Sequence, residues 1–168
     1  MQQTNTSKPV VLITGAAGGV GAAAALELAR RGYDVAITDI AESGLQKTGE
    51  AIYHLDASIK VLSLPGDLND LQFVGSLAKS TFEYFGRIDI LVNNAAWREL
   101  VTMRNISVES WEKTIRVMLT APAFLARECA VFMEQAKRGL IINISSIQSR
   151  QTSSFATPYA VQKRDWKH

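Results

Sequence analysis

The run Val10-Val11-Leu12-Ile13-Thr14-Gly15-Ala16-Ala17-Gly18-Gly19-Val20-Gly21 decides how the rest of this sequence folds. Val10–Thr14 is continuously apolar up to its last residue, as expected of a strand covered on both faces. The glycines follow at once, and an alanine-rich helix over Val20–Arg31 opens behind them and stops at Gly32. Gly15, Gly19 and Gly21 suit a tight turn in which backbone N–H groups approach a diphosphate with no Cβ in the way. The unpaired amides and positive dipole end of the helix then face the phosphates. No Lys-Ser or Lys-Thr pair follows the loop, which argues against a Walker-type phosphate site.

Working outward, four more Val- and Ile-rich runs appear at Val35–Asp39, Lys60–Leu64, Ile88–Asn93 and Leu140–Ser145. Between them the spacing predicts helices over Glu42–Asp56, interrupted by Gly44 and Gly49, and over Asp70–Phe85, closed by Gly86. A longer helix starts at Ser107 and reaches about Arg138, and Pro122 must kink or divide it. Strands alternating with helices make a doubly wound α/β fold with a parallel sheet, because parallel neighbours need crossover helices.

Composition narrows the partners. The 168 residues carry 18 basic and 16 acidic side chains, a net charge of +2. That excess argues for neither nucleic acid nor an anionic membrane. The single cysteine, Cys129, can form no internal disulfide or cysteine-based zinc site, and its apolar neighbours assign it to a core. Met1–Lys8 is polar, reads as a flexible tail, and lacks the apolar core of a signal peptide. With no run long enough to span a bilayer, a cytoplasmic protein is expected. The chain is read as a single domain over residues 1–168.

Asp39 ends the second strand, eighteen residues beyond Gly21. A carboxylate there can accept hydrogen bonds from ribose hydroxyls and would repel a 2′-phosphate, and the glycine loop has no Arg or Lys to offset it. NAD is therefore expected in preference to NADP.

With these segments in place the sequence resembles the short-chain dehydrogenase/reductase family in its classical form. Gly66-Asp67-Leu68 follows the third strand, Asn93-Asn94-Ala95-Ala96 closes the fourth, and Asn143-Ile144-Ser145-Ser146 ends the fifth. Tyr159-Ala160-Val161-Gln162-Lys163 supplies a Tyr-x-x-x-Lys pair on a helix that Thr157 and Pro158 would start well. Glycines at 15, 18 and 21 also fit the extended, epimerase-like branch, but Asn93-Asn94-Ala95 and the thirteen-residue step from Ser146 to Tyr159 favour the classical one. The resemblance implies a Rossmann-type sheet in the order 3-2-1-4-5, running from about Lys8 to Lys163.

It also implies roles. Gly15, Gly19, Val20, Gly21 and Asp39 would hold the diphosphate and ribose, Asp67 and Leu68 the adenine, and Asn93 and Ala95 would lie beside the cofactor. Tyr159 would trade a proton with the oxygen of a secondary alcohol or ketone, and Ser146 would hydrogen-bond that oxygen. Lys163 would favour the phenolate and bind the nicotinamide ribose. Tyr159 and Lys163 lie one helical turn apart on one face. A phenol is a poor base at neutral pH, and a neighbouring ammonium favours its charged form. Trp97, Arg98, Gln148 and Arg150 are placed near the cleft mouth.

Two departures bear on activity. Val117-Met118-Leu119-Thr120 puts Met118 where the family segment resembles Val-Asn-Leu-Thr. A thioether donates no hydrogen bond, which would slow or reroute a relay to the lysine. Arg164-Asp165-Trp166-Lys167-His168 does not resemble the family's small, apolar continuation. The expectation is a truncated member that lacks the usual sixth and seventh strands, the substrate lid and most of the helix used for homo-oligomers. Its fifth strand would be an uncovered edge. The readings carried forward are an NAD-dependent oxidoreductase with a Ser-Tyr-Lys set and a non-catalytic dinucleotide-binding or interaction module. An RNA-binding domain has no basic stripe to support it.

Overall fold

A computed structural model of the chain describes residues 8–147 and Tyr159. Five strands, β1 (Val10–Thr14), β2 (Asp34–Asp39), β3 (Val61–Pro65), β4 (Ile90–Asn93) and β5 (Leu140–Asn143), form one parallel sheet in the order β3-β2-β1-β4-β5. The predicted fold class and strand order are both present. β1 is central and pairs with β2 from Val10↔Asp34 to Thr14↔Thr38, and with β4 from Val11↔Ile90 to Ile13↔Val92.

Side chains alternate across the central strands with period two, so each strand feeds two cores. Val11, Ile13, Val35, Ile37 and Val92 face the helices α1 (Gly19–Arg30) and α2 (Glu42–Leu55). Leu12, Ala36 and Leu91 face α3 (Leu71–Phe85) and α5 (Ala121–Gln135), and α4 (Val108–Ile115) leads into α5 through the turn at Arg116–Thr120. Across that second layer Phe82 of α3 stacks on Phe132 of α5, ring centres 4.3 Å apart. Continuous apolar runs predict cover on both faces, and this holds for β1 and β2 but not at the sheet edges. β5 pairs only with β4 among the described residues, and Leu140, Ile141 and Ile142 are exposed.

Helix ends follow local chemistry. The Asp70 carboxylate accepts from the amides of Gln72 and Phe73 to cap α3, and Gly86 closes it in the left-handed region at φ 77°. Ser107 accepts from Ser110 N at 3.0 Å and caps α4. The predicted long helix divides ahead of Pro122, at a π-turn over Arg116–Thr120, where the Ala121 amide donates to the Arg116 carbonyl five residues back. Pro122 sits in the first turn of α5. Having no N–H, it cannot continue the α ladder to residue 118, and the wider turn relieves the ring's clash with that carbonyl. Gly44 does not interrupt α2. A Cβ there would lie 2.6 Å from the Ala17 side chain and carbonyl, so this glycine lets α2 pack on the loop after β1.

The Lys8 ammonium donates to the carbonyl and hydroxyl of Ser58. At the amino-terminal end of the sheet, Asp89 accepts from the Val10 amide at 2.8 Å and from Arg87 at 2.8 and 2.7 Å. Arg138 approaches to 3.3 Å. Burial opposes the charge on Asp89, yet the Arg87 and Val10 hydrogen bonds hold its carboxyl below the ordinary range. Among the described residues no helix is long and apolar enough to cross a membrane.

Candidate functional site

Parallel strands bring Thr14, Asp39, Pro65, Asn93 and Asn143 to one rim of the sheet. The chain crosses that rim after β1 with Gly15 and Gly19 at φ 69° and 54°, a conformation glycine adopts without steric cost. The amides of Gly15 and Ala16 donate to the Thr38 carbonyl at 2.8 and 3.2 Å, which ties the loop to β2. The Ala17 amide donates to Asp39 Oδ2 at 3.1 Å. Asp39 Oδ1 accepts from the Ala41 amide at 3.0 Å. Gly18 precedes α1 in an extended conformation, and among the described residues no side-chain hydrogen bond caps the helix. Its first-turn amides are therefore available to an acceptor from outside the fold.

Contacts that admit no side chain hold α1 and β4 against this loop. A Cβ on Gly21 would run into the Gly15 carbonyl oxygen and lie 2.6 Å from Asn94 Nδ2. A Cβ on Gly15 would lie 2.7 Å from Ala95 Cα. Asn94 Nδ2 donates to the carbonyls of Thr14 and Gly15, both at 3.0 Å. Thr14 Oγ1 accepts from the amides of Asn94 and Ala95 at 3.0 and 3.1 Å. On the far side Thr48 Oγ1 donates to the Ala16 carbonyl at 2.9 Å. Each residue of the Asn93-Asn94-Ala95 segment thus has its own placement. The Asn93 amide group reaches sideways to Asn143 Oδ1 at 2.9 Å and braces β4 against β5.

A solvent-open cleft of about 130 Å³ lies along the rim. Gly15, Asp39, Ile40, Gly66, Asp67, Leu68, Ala95, Ala96, Trp97, Lys113 and Val117 line it. Of the residues expected there, Gly15, Asp39, Asp67, Leu68 and Ala95 do line it. Gly19, Val20 and Gly21 stand at the head of α1, with Val20 64% exposed. Asp67 Oδ1 accepts from the Asn69 amide at 2.8 Å and shapes the turn after β3.

β5 continues toward the same rim, since the Ile144 amide donates to the Asn93 carbonyl at 2.9 Å, and Ser146 follows two residues on. Tyr159 is helical and half-buried, packs against the cluster that includes Val117 and Met118, and has the Arg98 guanidinium 5.8 Å from its ring centre. Lys163, Gln148, Arg150, Thr157 and Pro158 lie outside the described residues. Met118 is 2% exposed and belongs to the apolar cluster, where its side chain brings no hydrogen-bond donor. Ile40, Lys113 and Val117 also line the cleft, and no motif of the sequence places them there. The spacing of Lys113 and Val117, one turn apart on one face, is a signal that could have paired them.

A sequence model of the short chain dehydrogenase family matches residues 9–165. The chain belongs to the short-chain dehydrogenase family. It is similar to an uncharacterized oxidoreductase of Thermotoga maritima, 34% identical over 154 residues that make up 92% of the chain and 59% of that protein. It is equally similar to the galactitol 2-dehydrogenase of Agrobacterium fabrum, 34% identical over 155 residues, again 92% of the chain and 59% of the relative. Among solved structures, a metagenomic short-chain oxidoreductase in complex with NADP superposes with a TM-score of 0.86 at 32% identity. That match covers 94% of this chain and 70% of the other. This short-chain dehydrogenase chain thus spans about three-fifths of the length of the curated relatives it matches.

Proposed function

We propose that this chain holds a nicotinamide dinucleotide along the rim of its sheet, NAD in preference to NADP, and serves oxidoreduction between a secondary alcohol and a ketone. The observation that carries the reading is the uncapped head of α1 beside the Asp39 carboxylate. The residues present fit the group: donors and a positive dipole end for a diphosphate, an acceptor for ribose hydroxyls, and two glycines, Gly15 and Gly21, that let β4 and α1 pack close to the loop. Two backbone amides occupy part of the Asp39 carboxylate, and its remaining lone pairs can accept from the ribose. A 2′-phosphate placed there would meet a like charge.

The bound nicotinamide supplies hydride transfer. The chain's own residues supply the proton and the placement. Tyr159 exchanges a proton with the substrate oxygen, Ser146 hydrogen-bonds that oxygen, and Lys163 favours the phenolate and binds the nicotinamide ribose. The Arg98 guanidinium lies over the Tyr159 ring.

Fluorescence titration with NADH and NADPH tests the cofactor half. NADH binding at least tenfold more tightly is expected; equal affinities would remove the preference. No binding of either up to millimolar concentration would remove the whole reading. For the chemistry, alcohols assayed with NAD⁺ should turn over in the parent and not in Tyr159→Phe. A second reading, a dinucleotide-binding module without turnover, is favoured by Met118, which sits buried and apolar where the family pattern has Asn. Tight NADH binding with no turnover of any alcohol, restored by Met118→Asn, is the result it predicts.

A further inference from the structure

The cleft that Asp39 and Asp67 line also holds a pair to which the reading above gives no role. The Lys113 ammonium lies 4.1 Å from the centre of the Trp97 ring, within cation–π range, and both residues line the cleft. Lys113 is half-buried on α4, and among the described residues no carboxylate lies within ion-pair distance of it. A cation on a cleft wall, steadied by a ring rather than by an acid, keeps its donors for something that enters the cleft.

Position fixes which half of a dinucleotide that would be. The same lining includes Asp39 at the end of β2 and Ile40, Asp67 and Leu68 from the loops after β2 and β3. Ser146 and Tyr159, where the hydride and proton would move, are not in this lining. Val117, one turn from Lys113, continues the same wall with an apolar surface. The space bounded by Ile40, Leu68 and Val117 suits a flat, weakly polar ring, and the Lys113 ammonium at its border suits a ring that carries acceptor nitrogens.

We infer that Trp97 and Lys113 form a clamp for the adenine end of the cofactor, Trp97 as its outer wall and Lys113 as a donor to the adenine ring nitrogens. The inference rests on the dinucleotide reading and adds to it two residues outside the glycine loop and the strand-end carboxylates. Lys113 reaches the ligand from α4, so the clamp joins the cofactor to the helix that continues into Met118.

Calorimetric titration of the full chain with ADP-ribose, adenosine, nicotinamide mononucleotide and pyrophosphate tests it. Trp97→Ala and Lys113→Met should each weaken ADP-ribose and adenosine about tenfold and leave nicotinamide mononucleotide unchanged. Trp97→Phe and Lys113→Arg should restore most of the loss, and the urea midpoints of all four variants should match the parent. ADP-ribose affinity unchanged in Trp97→Ala and Lys113→Met would overturn the inference and leave the dinucleotide reading intact. So would a loss confined to ADP-ribose and pyrophosphate, which would make Lys113 a phosphate contact. A parent chain that binds no ADP-ribose would overturn both.

Discussion

Replacing Gly21 with alanine adds one methyl group where the structure leaves no room. That Cβ would meet the Gly15 carbonyl oxygen, with Gly15 C at 2.8 Å and Asn94 Nδ2 at 2.6 Å. Two of the three are backbone atoms tied to Thr38 and Asn94, so the overlap is relieved only if α1 lifts from the loop. Overpacking of this kind costs about 1–3 kcal/mol. Separating Asn94 from the Gly15 carbonyl adds about 1 kcal/mol. Alanine's better helix propensity returns about 1 kcal/mol. The net expectation is a loss of about 2 kcal/mol, read as a lower urea midpoint at unchanged slope, with NADH binding weakened at least tenfold as the first-turn amides shift. Gly18→Ala is the control. Gly18 is extended and nothing lies within 4 Å of its would-be Cβ. Its loss should stay below about 1 kcal/mol, the cost of a poorer cap residue. Parent-like stability and NADH affinity in Gly21→Ala, or equal damage from Gly18→Ala, would refute the reasoning.

Asn94→Ala removes both bonds that join the end of β4 to the glycine loop, and should cost about 1–3 kcal/mol and weaken NADH; an unchanged urea midpoint would contradict this. Asp89→Asn should destabilise the chain by about 1–2 kcal/mol at neutral pH, as removal of a partly buried, hydrogen-bonded charge does. The folded-state carboxyl is held below its ordinary 3.8, so its contribution is complete above that value and fades as pH falls through the lower, folded one. A parent-to-variant gap that persists at roughly pH 2 would contradict the assignment. Cys129 is fully buried, and burial, with a smaller contribution from the Glu128 charge, pushes its thiol up to about 12. Ellman's reagent should find no reactive thiol in the native chain and one after denaturation; rapid native reaction would place Cys129 elsewhere.

Much of this was legible before any coordinates. The first strand and the start of the helix behind it were readable because an apolar run, a glycine cluster and an alanine helix are local signals that agree. Strand order was readable only through resemblance, since the register of parallel strands depends on contacts distant in sequence. Gly44 shows where local propensity misleads. It reads as a helix breaker, but its reason is the approach of α2 to Ala17, which no single segment reveals. Pro122 signalled a break without saying where, because the chain relieves the clash one turn earlier. On the cleft, the loops after β1 and β3 and the strand-end Asp39 announce themselves as motifs. Lys113 and Val117 do not, because a charged and an apolar residue one turn apart look like any amphipathic helix until the rest of the cleft is in place. The bond from the Asn93 side chain to Asn143 joins β4 to β5 across fifty residues of sequence, which no local pattern reveals.

The central claim is that the amides at the head of α1 receive a diphosphate while Asp39 takes the neighbouring ribose. Nitrogen-15 NMR of the labelled chain during titration with ADP-ribose tests it at the atoms concerned. The account predicts that the amide signals of Gly19, Val20 and Gly21 move first and furthest, and that Asp39→Ala weakens binding without abolishing those shifts. Saturable binding that leaves the three amides unmoved would contradict it.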